Sequence, residues 1–131
     1  MSYSVKHDTA LDLVEITFRG VVSGSDLRES TTEGVALQKR TGVARFLIDA
    51  DESQVRASFV DILELPEKEY PDGDVSRKSR IAVILPDSAS ARDAADFYEI
   101  ACQNRGWNAR VFPDRQSAID WLTGAGRPDT A

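Results

Sequence analysis

The sequence predicts an α/β fold with the element order ββαβαβαβα: a mostly parallel sheet, an antiparallel N-terminal hairpin strand, and helices covering the sheet. Three observations carry this prediction. Two alternating segments near the N-terminus are joined by only four residues. Two nearly continuous apolar runs lie further along the chain. Stretches with helical spacing follow the hairpin and each of these runs.

Residues 3–8 set Tyr3, Val5 and His7 against Ser4, Lys6 and Asp8, and residues 13–19 set Leu13, Glu15, Thr17 and Arg19 against Val14, Ile16 and Phe18. Each segment reads as a half-buried strand. The Thr9-Ala10-Leu11-Asp12 connection is far too short for a parallel crossover, so the pair is an antiparallel hairpin. After Gly20, the run Ser23-Gly24-Ser25-Asp26 supplies N-cap residues, and Asp26 with Glu29 forms a partial capping box. The helix so started places Leu27, Thr31, Gly34, Val35 and Gln38 on one face. Thr31, Thr32 and Gly34 are weak helix formers, so packing has to hold the segment. Gly42 is its left-handed stop.

Ala44-Arg45-Phe46-Leu47-Ile48-Asp49 and Ile81-Ala82-Val83-Ile84-Leu85 suit central strands buried on both faces. Between them, Val60, Leu63 and Glu64 at helical spacing, with Phe59 and Ile62, give a short helix over 57–65. The stretch from Pro66 to Ser79, with Tyr70-Pro71-Asp72-Gly73-Asp74, reads as a long mobile loop, a binding lid or plain surface slack. A helix over 90–105 opens on Ser90 with Asp93 and closes at Gly106, and its stripe of Ala91, Ala94, Ala95, Tyr98, Ala101 and Cys102 suits close approach to a sheet. Residues 107–112 alternate as a strand, and Asp114 caps a last helix carrying Ala118, Ile119, Trp121 and Leu122. Residues 1–123 are expected to form one domain, with 124–131 as a flexible tail.

The chain has 131 residues, 41% hydrophobic and 29% charged, the balance of a water-soluble globule. Its net charge of -6 opposes nucleic-acid binding, and the densest basic run, Arg77, Lys78 and Arg80, reads as a solvated strand edge. The single Cys102 forms no intramolecular disulfide, the N-terminus shows no signal-peptide pattern, and no run approaches the roughly 20 apolar residues of a membrane span. These features point to the cytoplasm.

The element order resembles the SpoIIAA-like fold shared by STAS domains and anti-sigma-factor antagonists. The likeness rests on the hairpin through Phe18 and Arg19-Gly20, on Phe46-Leu47-Ile48-Asp49, and on Ile81-Ala82-Val83-Ile84. Its most distinctive part is Arg105-Gly106-Trp107, then Val111-Phe112-Pro113-Asp114 and Ala118-x-x-Trp121-Leu122, which resembles uncharacterised bacterial members of the superfamily. The resemblance implies a protein-interaction or small-ligand module without catalysis of its own. Antagonist members carry a phosphorylatable serine in an Asp-Ser-Ser-Gly-like motif where a helix follows the strand ending here at Asp49. This chain reads Asp49-Ala50-Asp51-Glu52-Ser53-Gln54, without the glycine and with added acid, leaving Ser53 and Ser58 as candidate phosphoacceptors. The related CRAL-TRIO lipid-transfer fold implies an apolar ligand.

Asp49, Asp51 and Glu52, with Ser53, are placed by this reading beyond a strand's C-terminal end, where open α/β sheets bind ligands. The three acids could hold Mg²⁺ or serve a small enzyme, but the further oxygen ligands a hard cation needs, such as Asp87 or Asp114, cannot be placed beside them, and a solvated acidic loop or helix cap explains them better. No catalytic residue, metal or cofactor is assigned. His7 has no nucleophile elbow to serve, Cys102 packs as a small hydrophobe, and no glycine-rich phosphate cradle exists. Trp107 and Trp121 are expected to share core packing, and Tyr70 is the best exposed aromatic for a partner surface. The functional reading is therefore an interaction or regulatory module for a protein partner. A carrier of a small apolar ligand, bound between the 66–79 loop and the neighbouring helices, is the alternative. Homodimerisation through a sheet edge or helix face fits either.

Overall fold

The computed structural model describes residues 2–124, so the expected tail from residue 125 onward lies outside the described residues. The elements are β1 (Tyr3–Asp8), β2 (Leu13–Val22), α1 (Gly24–Thr41), β3 (Arg45–Val55), α2 (Phe59–Glu64), a π-helical turn (Leu65–Glu69), α3 (Tyr70–Asp72), β4 (Arg80–Ile84), α4 (Ala89–Asn104), β5 (Asn108–Phe112) and α5 (Arg115–Thr123). They build one five-stranded sheet in the order β1-β2-β3-β4-β5, antiparallel at β1–β2 and parallel elsewhere. Phe46 pairs with Ile81 and Ile48 with Val83, so the two apolar runs are parallel neighbours, as expected.

Consecutive parallel strands stepping in one direction put right-handed crossovers on one face. That face carries α1, α2 and α4 over a large core containing Ile16, Phe46, Ile62, Val83, Tyr98 and Trp107. Among the described residues the other face receives only α5, over a small core of Leu13, Leu47, Ala82, Ile84, Ala118 and Leu122. Beside it, Arg115 of α5 donates from both terminal guanidinium nitrogens to the buried Glu15 carboxylate at 2.9 Å. This bidentate clamp compensates a carboxylate held on an interior strand.

Several expectations are corrected. β2 is not half-buried: Leu13, Val14, Glu15 and Ile16 are all buried, because β2 lies between β1 and β3 with packing on both faces. β3 does not end at Asp49 but continues to Val55. Past a register shift between Thr17 and Arg19, Gly20 pairs with Ser53 and Val22 with Val55, whereas β4 ends opposite Asp49. The extension is thus a two-stranded ribbon whose Asp51, Glu52 and Gln54 are exposed, while the start of α4 closes its β3 edge: Ser88 Oγ donates to the Ser53 carbonyl at 2.9 Å and Ser90 Oγ accepts from the Val55 N–H at 3.3 Å. The first helix is capped by Ser23, in a full capping box with Asp26, and α4 by Ser88 rather than Ser90.

The 66–79 stretch is not simply a loop. Helical backbone runs without a break from Phe59 to Asp72, through α2, the π-helical turn and α3, with Pro66 and Pro71 inside it. Trp107 Nε1 donates to the Pro66 carbonyl at 3.0 Å, and Tyr70 packs edge-to-face on Trp107 with centroids 5.5 Å apart. Trp121 lies on the opposite face of the sheet, against Phe112, so the two tryptophans do not share a core. The basic run is not a free edge either: β4 is interior, the Arg77 guanidinium stacks 3.7 Å from the Trp107 ring centroid, and Arg80 donates to the Trp121 carbonyl.

Candidate functional site

Between the large-core face of the sheet and its helices lies a cavity of about 90 Å³. Its floor is Ile16 and Phe18 of β2, Ile48 and Ala50 of β3, and Val83 of β4. Ile62, Leu65 and Tyr70 roof it, and Leu27 of α1 and Val22 and Val55 from the ribbon contribute at one end. The remaining wall is α4, which presents Ala91, Ala94, Ala95 and Tyr98. The space has a sequence cause. Three alanines on one helical stripe leave that part of the α4 wall short, although Phe97 beside it reaches Phe59 of α2, and Ala50 adds a small residue to the floor. Ile48, in the middle of a central strand, stays half-buried even though helices lie above it. A second apolar void of about 30 Å³ adjoins the first, sharing Ile16, Thr31, Ile48 and Tyr70.

Among the described residues the lining of the larger cavity contains no Asp, Glu, His, Lys or Arg. Its polar groups are hydroxyls. Those of Tyr70 and Tyr98 meet at 2.5 Å, both rings being buried. Desolvation raises both phenols well above their ordinary range, so both stay protonated. One helical turn beyond Tyr98, burial pushes the Cys102 thiol up to about 12, leaving it inert at neutral pH.

The roof is seated by its first turn. Ser58 caps α2 in a full capping box with Asp61, and Asp61 also accepts from Arg28 of α1 at 3.3 Å. The Ser58 backbone N–H, and after it Arg28, holds the Asp61 carboxyl below the usual carboxylate range. Gly24 faces this carboxylate so closely that a Cβ there would lie 2.5 Å from Asp61 Oδ2. The outer side of α2 is apolar: Phe59 and Val60 are 58% and 63% exposed, and Phe59 stacks on Phe97 of α4 with centroids 4.7 Å apart.

The residues singled out from sequence are not brought together as one rim. Asp49, Asp51 and Glu52 lie within β3, not beyond a strand end. Asp49 is 3.6 Å from Arg115, Glu52 is 3.7 Å from Arg19 across the ribbon, and Asp51 faces Asp87. Desolvation, then Asp87 and Asp49, raises the Asp51 carboxyl above its ordinary value. Among the described residues no group of three or more His, Cys, Asp or Glu has the geometry to hold a metal. Ser53 is buried and donates to the Ala50 carbonyl at 2.7 Å, while Ser58 is exposed as the α2 cap. Tyr70 is buried, a correction forced by the helical turns that carry it inward. His7, on the hairpin, reaches Asp12 at 3.2 Å.

What the sequence reading missed is that the alanine stripe, Tyr98 and the roof enclose space. The signal was present as three alanines on one face of α4 opposite a segment rich in large side chains.

No protein-family model and no curated protein matches the sequence. Among solved structures, the chain is similar to an uncharacterised protein from the DUF3478 family with a SpoIIAA-like fold, from Shewanella loihica PV-4. The two are 18% identical, over 92% of this chain and 91% of the other, with a TM-score of 0.55. The fold is therefore SpoIIAA-like, with the mixed sheet and element order described above. Among the described residues no helix is long and apolar enough to cross a membrane.

Proposed function

We propose that this SpoIIAA-like chain is a non-catalytic binding module whose ligand is a small apolar molecule held between the sheet and α1, α2 and α4. The observation that supports it is the cavity of about 90 Å³ with no charged residue in its lining among the described residues. Protein interiors are packed to crystal density, with few voids larger than a water molecule, so an apolar hollow of this size offers an apolar guest surface to bury. The size bounds the guest. An engineered cavity of about 150 Å³ binds benzene, and this pocket is smaller but half-open, with Ile48 of its floor half-buried, so a five-carbon ring enters with part of it at the open side.

The test is direct. In protein with labelled methyl groups, saturation with cyclopentane is expected to shift the signals of Ile62, Leu65 and Val83 while leaving Leu13 and Leu47, on the opposite face, unmoved. Unchanged cavity signals, or shifts spread over both faces, would refute the reading.

A second reading, docking of a protein partner, is favoured by the exposed Phe59 and Val60 beside Phe97. Exposed aromatic anchors dominate interfaces. A partner retained by the native chain should be lost by the Phe59→Ser, Val60→Ser double variant, and equal retention would remove α2 as the docking face.

A further inference from the structure

The outer sides of α2 and α4 form one apolar surface bordered by acids. Resting on the partner-docking reading above, we propose that this surface docks a basic amphipathic helix of another protein, whose apolar side chains meet Phe59, Val60 and Ile100 and whose Lys or Arg side chains meet Asp93, Asp96 and Glu64.

Large apolar residues scattered singly over a surface need no explanation, whereas a contiguous group marks an interaction site. Phe59, Val60 and Ile100 are each more than half exposed. Phe97 stacks on Phe59 and so joins α2 to α4, and Ile100, three residues after Phe97, is its neighbour on the α4 surface. Half-buried Leu63, four residues after Phe59, continues the surface along α2. The stripe therefore crosses two helices, an arrangement suited to the apolar face of a third.

Charge selects the partner. Residues 59–72 and 89–104 carry eight acids and two bases. Asp93 lies one turn before Phe97 and Asp96 one turn before Ile100, so both border the stripe. Both are exposed, and like Glu64 at the end of α2 they make no hydrogen bond or ion pair among the described residues. The nearby guanidinium groups are engaged: Arg28 with Asp61, Arg92 with the Pro86 carbonyl, and Arg105 with Glu67. That leaves Lys68 in the π-helical turn and Arg56 ahead of α2 as free bases along these segments. The excess of carboxylates repels an anionic lipid surface or an acidic peptide and attracts a cationic one.

The probes are two helical peptides of about 16 residues sharing one stripe of Leu at helical spacing, with Lys at the polar positions of one and Glu at those of the other. Each is titrated at neutral pH and low salt into the full chain, read by the methyl signals of Val60, Leu63 and Ile100. The Lys peptide is expected to bind at least about tenfold more tightly than the Glu peptide, and about 0.5 M salt should remove most of that margin. Phe59→Ser, Val60→Ser should weaken the Lys peptide at least about tenfold, and Asp93→Asn, Asp96→Asn about fivefold. Equal affinity for the two peptides, both lost in the Phe59→Ser, Val60→Ser variant, would overturn the basic-partner inference and leave α2 as a docking face. Lys-peptide binding that this variant does not weaken, or no methyl shift from either peptide at about 1 mM, would remove the docking reading and this inference together. Should that variant not fold, the Asp93→Asn, Asp96→Asn pair, which touches exposed side chains, still decides: an unchanged affinity for the Lys peptide overturns the inference.

Discussion

Gly24 shows how one residue couples two elements. It is the first residue of α1, where replacing glycine by alanine ordinarily stabilises a helix by up to about 1 kcal/mol. Here the added Cβ would lie 2.5 Å from Asp61 Oδ2, and Asp61 is not free to swing away. One of its oxygens accepts the Ser58 backbone N–H at 3.1 Å and the other accepts from Arg28. Gly24→Ala is therefore expected to displace Asp61 and loosen α2, raising amide hydrogen exchange over 59–64 at least tenfold while β3 and β4 keep their protection. A gain in thermal stability with unchanged exchange in α2 would mean that helix propensity outweighs the contact and that Asp61 does not seat the roof.

At the scale of elements, what could be read in advance was what periodicity encodes. The hairpin, the neighbouring strands at Phe46–Ile48 and Ile81–Ile84, the alanine-striped α4 and the Asp114-capped α5 all have local patterns that agree with their tertiary setting. The misread elements are those whose local pattern answers to something distant. Asp49 to Gln54 looks like a loop because its residues are polar, yet they extend β3 as a ribbon paired with β2 alone, where polar side chains face water and only alternate residues such as Ser53 turn inward. Pro66 to Asp74 looks like a loop because of its prolines, acids and glycine, yet Trp107, more than thirty residues later, satisfies the Pro66 carbonyl and supports Tyr70. The candidate site suffered most from this. Its acids were legible as a cluster but lie along the ribbon and beside Arg115, whereas the cavity depends on Tyr98, Ile62 and the α4 alanines meeting across a gap that no single segment encodes.

At the scale of the whole molecule, the sheet divides the interior into two unlike halves. Successive crossovers place α1, α2 and α4 on one face and, among the described residues, leave only α5 for the other, so one core is wide and holds spare volume while the other is a small cluster around Leu13, Leu47 and Leu122. The same substitution should therefore have opposite signs on the two sides. Ala95 lines the cavity, and Ala118 is fully enclosed among Leu13, Leu47, Ala82 and Leu122. Leucine and alanine differ little in helix propensity, so a comparison of Ala95→Leu with Ala118→Leu reports mainly on space. At Ala95, three added carbons bury about 2.4 kcal/mol of transfer free energy against roughly 0.5–1 kcal/mol of side-chain entropy, a net stabilisation of about 1–2 kcal/mol. At Ala118 the added volume has nowhere to go, and overpacking costs about 1–3 kcal/mol. Urea unfolding of the two variants measures the difference, and the Ala95 variant should also lose the methyl shifts that cyclopentane produces. Destabilisation at both sites would show that the space above Ile48 closes in solution. Stabilisation at Ala95 with cyclopentane binding retained would place the guest elsewhere than between α4 and the sheet.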